Sequence, residues 1–427
     1  MPFRKESLEV QRLRESVHEL SILNEIATAI SGVWKIDEVI DLIVHKCVKH
    51  LKVEQSTITL LEDLDSETPF QTMVRKIDDT ESQIPYHFGV QLSGWMLHNK
   101  KPLMVNDFES DNRFKIFDEA NFNIRSLLSV PLTIKGNMIG LVNLFNKKEG
   151  KDFNENDQRI LSIIAAQSAQ VIESARLYKQ EQTLRAIEED LRVARQIQSQ
   201  LLPKKTPELP GYDIAGYSLS AKEVGGDYYD FISIDEKEMA FCLGDISGKG
   251  VPASLIMANL QATLRGQVHS TTSCSTCLQK SNTMLYHSTD IAKFATLFYS
   301  TLNIETHKLC YSVAGHNPPV LMKSDGSYRM LETGGTVLGF LENVEFEEET
   351  LDMEIGDVLT IYSDGITEAG DHDEEYFEEW RLIEVIKKNL GKTCNQIIEE
   401  IIKEVMDFSK GGDQNDDMTL LIIKRNK

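Results

Sequence analysis

"AKEVGGDYYDF", Ala221 to Phe231, sets two glycines directly before an aspartate and follows them with the aromatic residues of a strand. Asp227 reads either as a turn residue trailing glycines or as a ligand, and these residues alone do not choose. The next stretch helps. "YYDFISI" (228–234) runs into the polar "DEKE" (235–238) and then into "MAFCLGD" (239–245), a pattern that predicts a β-hairpin turning near Asp235 to Lys237. Asp227 and Asp245 lie nine residues either side of Glu236. A hairpin in that register sets the two carboxylates opposite each other at its open end. Two carboxylates so placed repel, and a cation relieves the repulsion.

Two further aspartates sit at expected strand ends. "DVLTIYSDGITEA" (357–369) ends a buried-looking strand near Asp364, and "GGDQNDDMTLLIIK" (411–424) starts one after Asp416 and Asp417. If these strands are antiparallel neighbours the carboxylates meet, so three stretches of chain can bring acids to one edge of one sheet. Any single Asp reads as a solvated surface group; four beside glycines or a second Asp read as a set. A sulfur-free oxygen cluster favours Mg²⁺ or Mn²⁺.

The loop "GDISGKG" (244–250) is short of a Walker A motif. Only three residues separate Gly244 from Gly248, and Gly250 stands where Ser or Thr is required. Asp245 and Ile246 before Ser247 also exclude a nucleophile elbow. A helix opens at about Pro252. Lys249 in this loop reads as solvated, and His316 in "AGHNPP" (314–319) as a turn residue between Gly315 and a Pro pair.

The chain has 427 residues, with 67 acidic against 45 basic and a net charge of −22. That balance repels a phosphate backbone and an anionic bilayer, which disfavours nucleic acid as a partner. The six cysteines (47, 242, 274, 277, 310 and 394) make no disulfide framework, and Cys274-x-x-Cys277 lacks a second pair to complete a zinc site. The charged N-terminus has no apolar signal region, and no window approaches a membrane span. The expectation is a cytoplasmic protein.

Residues 1–16 read as a helix, and Leu20, Leu23, Ile26 and Ile30 continue at helical spacing. Residues 17–175 then read helix, strands, hairpin, helix. "LLSVPLTIKGNMIGLVNLFNK" (127–147), with a "KGN" turn at 135–137, and "FNENDQRILSIIAAQSAQVIESARLY" (153–178) resemble a GAF domain, a small α+β sensor fold. Asn146, Lys147, Phe153 and Asp157 match a signature of cyclic-nucleotide-binding GAF domains, but Gln158 replaces its Glu; the other reading is a brace between hairpin and final helix. Helical pattern runs on to Leu202. Leu177, Leu184 and Leu191 recur every seven residues, with Ile187, Ala194 and Leu201 three later, while Gln180 and Gln198 interrupt the seam. This predicts a marginal dimeric coiled coil over the linker, 176–211, or else one amphipathic helix packed on its own chain. Pro203, Pro207 and Pro210 break the helix, and a second domain spans 212–427.

In that second domain "AKEVGGDYYDF", "GDISGKGVPASLIMA", "AGHNPPVL", "YSDGITEA" and "DDMTLLIIK" resemble, in order and spacing, the SpoIIE-like branch of the PPM metal-dependent serine/threonine phosphatases. The resemblance implies an α–β–β–α sandwich with a two-metal centre of Mn²⁺ or Mg²⁺. Asp227, Asp245, Asp364 and Asp416 would be ligands, Asp245 bridging, with the carbonyl of Ile246 and with Asp417 orienting the turn. Asp413 is a candidate for a third ion. It also implies a phosphoprotein substrate, an anti-sigma-factor antagonist of the small STAS kind. Two departures stand out: Ser247 occupies the place of a general-acid His, and Lys222 that of a phosphate-gripping Arg, without the bidentate fork. The whole reads as an α+β protein: GAF sensor, coiled-coil linker helix, phosphatase sandwich. Its rivals are a nucleotide cyclase using the Gly-Gly-Asp turn and a non-catalytic phosphoprotein-binding module.

Overall fold

The computed structural model describes residues 35–61, 70–76, 86–108, 110, 111, 113, 124–271, 273–289, 293–370, 375–410 and 414–427, with Val10, Val17 and Ser21 upstream. Apart from Val10, the expected N-terminal helix over 1–16 lies outside the described residues, as do Leu20, Leu23, Ile26, Ile30 and Asp413. The chain divides into two compact units, Met1–Ala186 and Ile187–Lys427.

The first unit holds an antiparallel sheet of β1 (Val53–Leu61), β2 (Phe70–Lys76), β3 (Leu103–Val105), β4 (Leu127–Ile134) and β5 (Asn137–Lys147), in the order β2-β1-β5-β4-β3. Ile134 pairs with Asn137, so only Lys135 and Gly136 turn the hairpin. Both have positive φ, 49° and 86°, the signature of a turn whose twist matches the strands. Alternation along β5 splits its side chains between two cores. Val142 and Leu144 pack with helix α1 (Ile36–Leu51) and the start of α3 (Glu155–Leu201). Leu141 and Phe145 pack with Leu92 and Met96 of α2 (Tyr86–Asn99). Three of the residues resembling a nucleotide signature contact one another, and the fourth, Asn146, engages its neighbours in the sheet. Lys147 Nζ lies 2.5 Å from Asp157 Oδ1 and 5.7 Å from the Phe153 ring centre, and Asn146 Oδ1 accepts from the Arg125 N–H at 2.7 Å. That is the brace between hairpin and helix.

The second unit is a four-layer sandwich. One sheet runs in the order β13-β10-β9-β8-β7, and β14 also pairs with β10. Its strands are β7 (Tyr228–Ser233), β8 (Glu238–Ile246), β9 (Ala295–Asn303), β10 (Lys308–Ala314), β13 (Gly334–Gly335) and β14 (Glu349–Asp352). The other sheet runs β12-β11-β15-β16-β6. It comprises β6 (Tyr212–Leu219), β11 (Val320–Met322), β12 (Tyr328–Met330), β15 (Val358–Tyr362) and β16 (Met418–Arg425). Period-two alternation explains the layers. Phe241 and Leu243 of β8 meet Leu359, Ile361, Leu421 and Ile423 between the sheets. Ala240 and Cys242 instead face α4 (Val251–Val268) and α5 (Cys274–Ser288), where both cysteines of the CxxC are buried. Leu420 and Ile422 face α7 (Glu378–Lys388) and α8 (Cys394–Ser409). Strands buried on both faces read as nearly continuous apolar runs, as "MAFCL" and "MTLLII" do.

Helix α3 is 47 residues long and stops at Leu201, just short of Pro203. Leu177, Leu184 and Ile187 are exposed on it, but the seam does not continue evenly to its end. Leu201 and Leu202 pack against the α4–α5 core of the second unit, and Gln198 is buried. Its amide has backbone partners there, so Gln198 does not interrupt a coil; the last turn of the helix belongs to the sandwich.

Phe241 is fully buried between the sheets, so Phe241→Ala is expected to destabilise the second unit by about 3–5 kcal/mol. An earlier urea midpoint, followed on the full-length chain, checks this; an unchanged midpoint would contradict the layer assignment.

Candidate active site

The hairpin of β7 and β8 pairs Tyr228 with Gly244 and Ser233 with Met239. This register continues to Asp227 opposite Asp245, with the turn at 234–237. Gly225 and Gly226 therefore lie at the open end of the hairpin, not in its turn. In the other sheet Tyr362 pairs with Leu420, which brings Asp364, at the start of the one-turn α6 (Asp364–Thr367), beside Asp416 and Asp417. The acids thus come from two sheets, a correction to the expectation of one sheet edge. Facing sheets do what one edge would not: they set the hairpin's pair against the β15–β16 pair across the inter-sheet gap.

Asp417 is the hub that aligns them. Its Oδ1 accepts from the Ala221 N–H at 2.8 Å, and its Oδ2 accepts from Gly226 at 2.6 Å and from Asp227 at 3.3 Å. Its own carbonyl accepts from Ser363 Oγ at 3.0 Å. One carboxylate therefore holds the loop before β7 and, through its backbone, the end of β15. The glycines are needed for this proximity and not for a turn. A Cβ on Gly225 would sit 2.3 Å from Asp417 Oδ2, and one on Gly365 would sit 2.1 Å from the Asp417 carbonyl oxygen. A Cβ on Gly226 would lie 3.0 Å from the Ile246 carbonyl oxygen and 3.4 Å from Asp245 Oδ1. That carbonyl and that carboxylate share one small space beside Gly226.

Electrostatics mark the cluster. Asp227 is buried, and among the described residues neither of its carboxylate oxygens has a hydrogen-bond partner. Burial first, and the Asp245 charge second, push its carboxyl well above the usual range. The nearby hydroxyls offset little of this, because Ser363 Oγ donates to Asp417 and Thr419 Oγ1 to Ser218. Burial, then Asp364 and Asp416, raise Asp245 to about 7. Burial and Asp416 also raise Asp364. An orphaned, buried carboxylate facing others across an all-oxygen space fits one or more hard divalent cations.

The flanking residues have defined places. Lys249, read from sequence as solvated, puts Nζ 2.8 Å from Asp416 Oδ2 and 2.6 Å from the Asn415 carbonyl oxygen. Lys222 is exposed on the loop that Asp417 holds. Ser247 Oγ accepts from the Phe294 N–H at 3.0 Å, which makes it a loop pin. His316 is buried with Nδ1 2.9 Å from Thr296 Oγ1, and desolvation pushes it down to about 4, so it is neutral at physiological pH. Asp230 turns to the other face and pairs with Arg265 of α4 at 2.7 Å. Sequence reasoning missed the reach of Lys249 and the engagement of Gln198. The only hint of the first was a lysine between two glycines at a helix start.

The raised carboxyls carry a sign. Folded, metal-free protein retains protons that the unfolded chain releases, so this stabilisation is full below about pH 4 and is lost as pH rises through about 7 for Asp245. In chelator-treated protein, the melting temperature of wild type relative to Asp245→Asn is expected to fall between about pH 4 and pH 7. A constant difference would show that Asp245 does not titrate there.

Comparison with known proteins follows the same division. The GAF domain family matches residues 35–173 and the Stage II sporulation protein E (SpoIIE) family matches residues 235–426, which include Asp245, Asp364 and Asp416. "Phosphoserine phosphatase RsbU" of Bacillus subtilis is 28% identical over 256 residues, 58% of this chain and 75% of that protein. "Protein IcfG" of Synechocystis is 30% identical over 264 residues, 56% of this chain but 42% of its own length. The solved SiaA-PP2C domain of Pseudomonas aeruginosa shares the fold, with a TM-score of 0.51 at 16% identity, over 57% of this chain and 98% of that domain. Among the described residues no helix is long and apolar enough to cross a membrane. The chain joins a GAF domain to a SpoIIE-type phosphatase domain.

Proposed function

We propose that this chain removes phosphate from a phosphoserine or phosphothreonine of a small STAS-type protein in partner-switching signalling, that the reaction depends on two Mn²⁺ or Mg²⁺ ions, and that the GAF domain regulates it. The observation that carries the reading is the orphaned Asp227 carboxylate, buried opposite Asp245 and facing Asp364 and Asp416 from the second sheet. A cyclase would have no need of the β15–β16 pair. The phosphoserine phosphatase relatives RsbU and RsbP of Bacillus subtilis support the substrate class.

Asp227, Asp245, Asp364, Asp416 and the Ile246 carbonyl would hold the ions. Bound there, they supply the Lewis acidity that activates water and neutralises phosphoryl charge. The residues of the chain do the rest. Asp417 holds the 221–227 loop in place, which positions Asp227 at the open end of the hairpin. Lys249 balances Asp416, and Lys222 stands exposed where a substrate phosphate can reach it. Among the described residues the hydroxyls nearest the cluster are engaged elsewhere: Ser247 with Phe294, Ser363 with the Asp417 carbonyl and Thr419 with Ser218. Leu177, Leu184 and Ile187, exposed at coiled-coil spacing, supply a face for a second copy of the chain. A signal at the GAF domain would act by changing the pitch or register of the paired helices.

Phosphate release from a phosphoserine protein with Mn²⁺ tests the proposal. Partners that only orient metal ligands cost roughly 10–100-fold when lost, so Asp245→Asn, which removes a direct ligand, is expected to cost at least about 100-fold. Equal activity in wild type and Asp245→Asn would overturn the metal reading. Phosphoprotein binding without release of phosphate would favour a binding module.

A further inference from the structure

The last turn of α3 carries a contact that the proposed chemistry does not use. Gln198 is 8% exposed on a helix whose neighbouring positions, Ile197 among them, face solvent. Its Nε2 donates to the Gly225 carbonyl at 2.7 Å, and its Oε1 accepts from the Gly225 N–H at 3.1 Å. The amide thus closes a two-bond clasp on one backbone residue, two positions before Asp227. The next residue, Gly226, donates to Asp417 at 2.6 Å. The loop that delivers Asp227 is therefore held from two sides: by Asp417, which belongs to the β16 end, and by Gln198, which belongs to the linker helix. The helix end is itself seated. The Leu201 carbonyl accepts from Gln261 Nε2 of α4, and Leu201 and Leu202 pack with Tyr228 and Ile246 in one core cluster.

We propose that Gln198 is a positioning residue for the metal centre: its clasp on Gly225 places Asp227, and the linker helix acts on the site through it. This rests on the metal-dependent reading above. Among the described residues the clasp has no side-chain substitute. Asp417 binds the N–H groups of Ala221, Gly226 and Asp227 but leaves both polar groups of Gly225 to Gln198. A helix that shifts at its last turn would release Gly225 while leaving every metal ligand chemically intact. The expected signature is weakened cation binding with a preserved maximal rate.

The test uses the full-length chain. Mn²⁺ binding is followed by electron paramagnetic resonance, and backbone exchange over 221–231 by hydrogen–deuterium mass spectrometry. Gln198→Met keeps the volume and removes both hydrogen bonds. It is expected to weaken Mn²⁺ binding by about 10–100-fold and to speed exchange over 221–231. Phosphate release at saturating Mn²⁺ should return towards the wild-type rate. Gln198→Leu also removes both hydrogen bonds and adds no charge, so it should match Gln198→Met, and it carries the test if Gln198→Met does not fold. Gln196→Met, on the exposed side, should match wild type. Mn²⁺ binding within twofold of wild type, or unchanged exchange, in a folded Gln198 variant would overturn the proposal. Wild type that binds no Mn²⁺ would overturn the metal reading itself, and the proposal with it.

Discussion

The C-terminal unit is organised around carboxylates that repel one another. Asp227 and Asp245 face each other across the open end of a hairpin, and Asp364 and Asp416 face them from a second sheet. A chain gains nothing in stability from burying such a set without a countercharge. The surroundings keep the set in place. Between the sheets, Phe241, Leu243, Ile361 and Leu421 interlock, and outside them two helical layers close both faces. Cohesion in the sandwich offsets repulsion at its edge.

Asp417 makes that arrangement specific. It differs from Asp416 by one position, yet its carboxylate is spent on backbone N–H groups while that of Asp416 faces Lys249. Adjacent residues at the start of a strand point to opposite sides. One acid therefore turns inward to hold the loop before β7, and its neighbour turns towards the open end. Gly225 and Gly365 permit the approach, since any side chain there would collide with Asp417.

Much of this was legible beforehand. Register in a hairpin follows from where its turn lies, so the symmetry of Asp227 and Asp245 about Glu236 anticipated their pairing. The GAF hairpin was equally local: the two residues with positive φ, Lys135 and Gly136, are the first two of the "KGN" turn. The residues of the nucleotide-like signature were legible too, although only contacts decided that Lys147 serves Asp157. Gln198 was misread for a related reason. A heptad pattern treats a polar residue on the apolar face as a defect, because the pattern carries no information about a partner 27 residues away in the same chain.

The sequence by itself determined the elements and their punctuation: two α+β units, a helix ended by Pro203, apolar strands, and aspartates at strand ends. These depend on neighbours within one strand, turn or helix face. Tertiary structure alone decided that the aspartates come from two facing sheets, that Asp417 holds the loop and that Gln198 clasps Gly225. Those facts rest on contacts between residues up to 196 positions apart, which no local periodicity encodes.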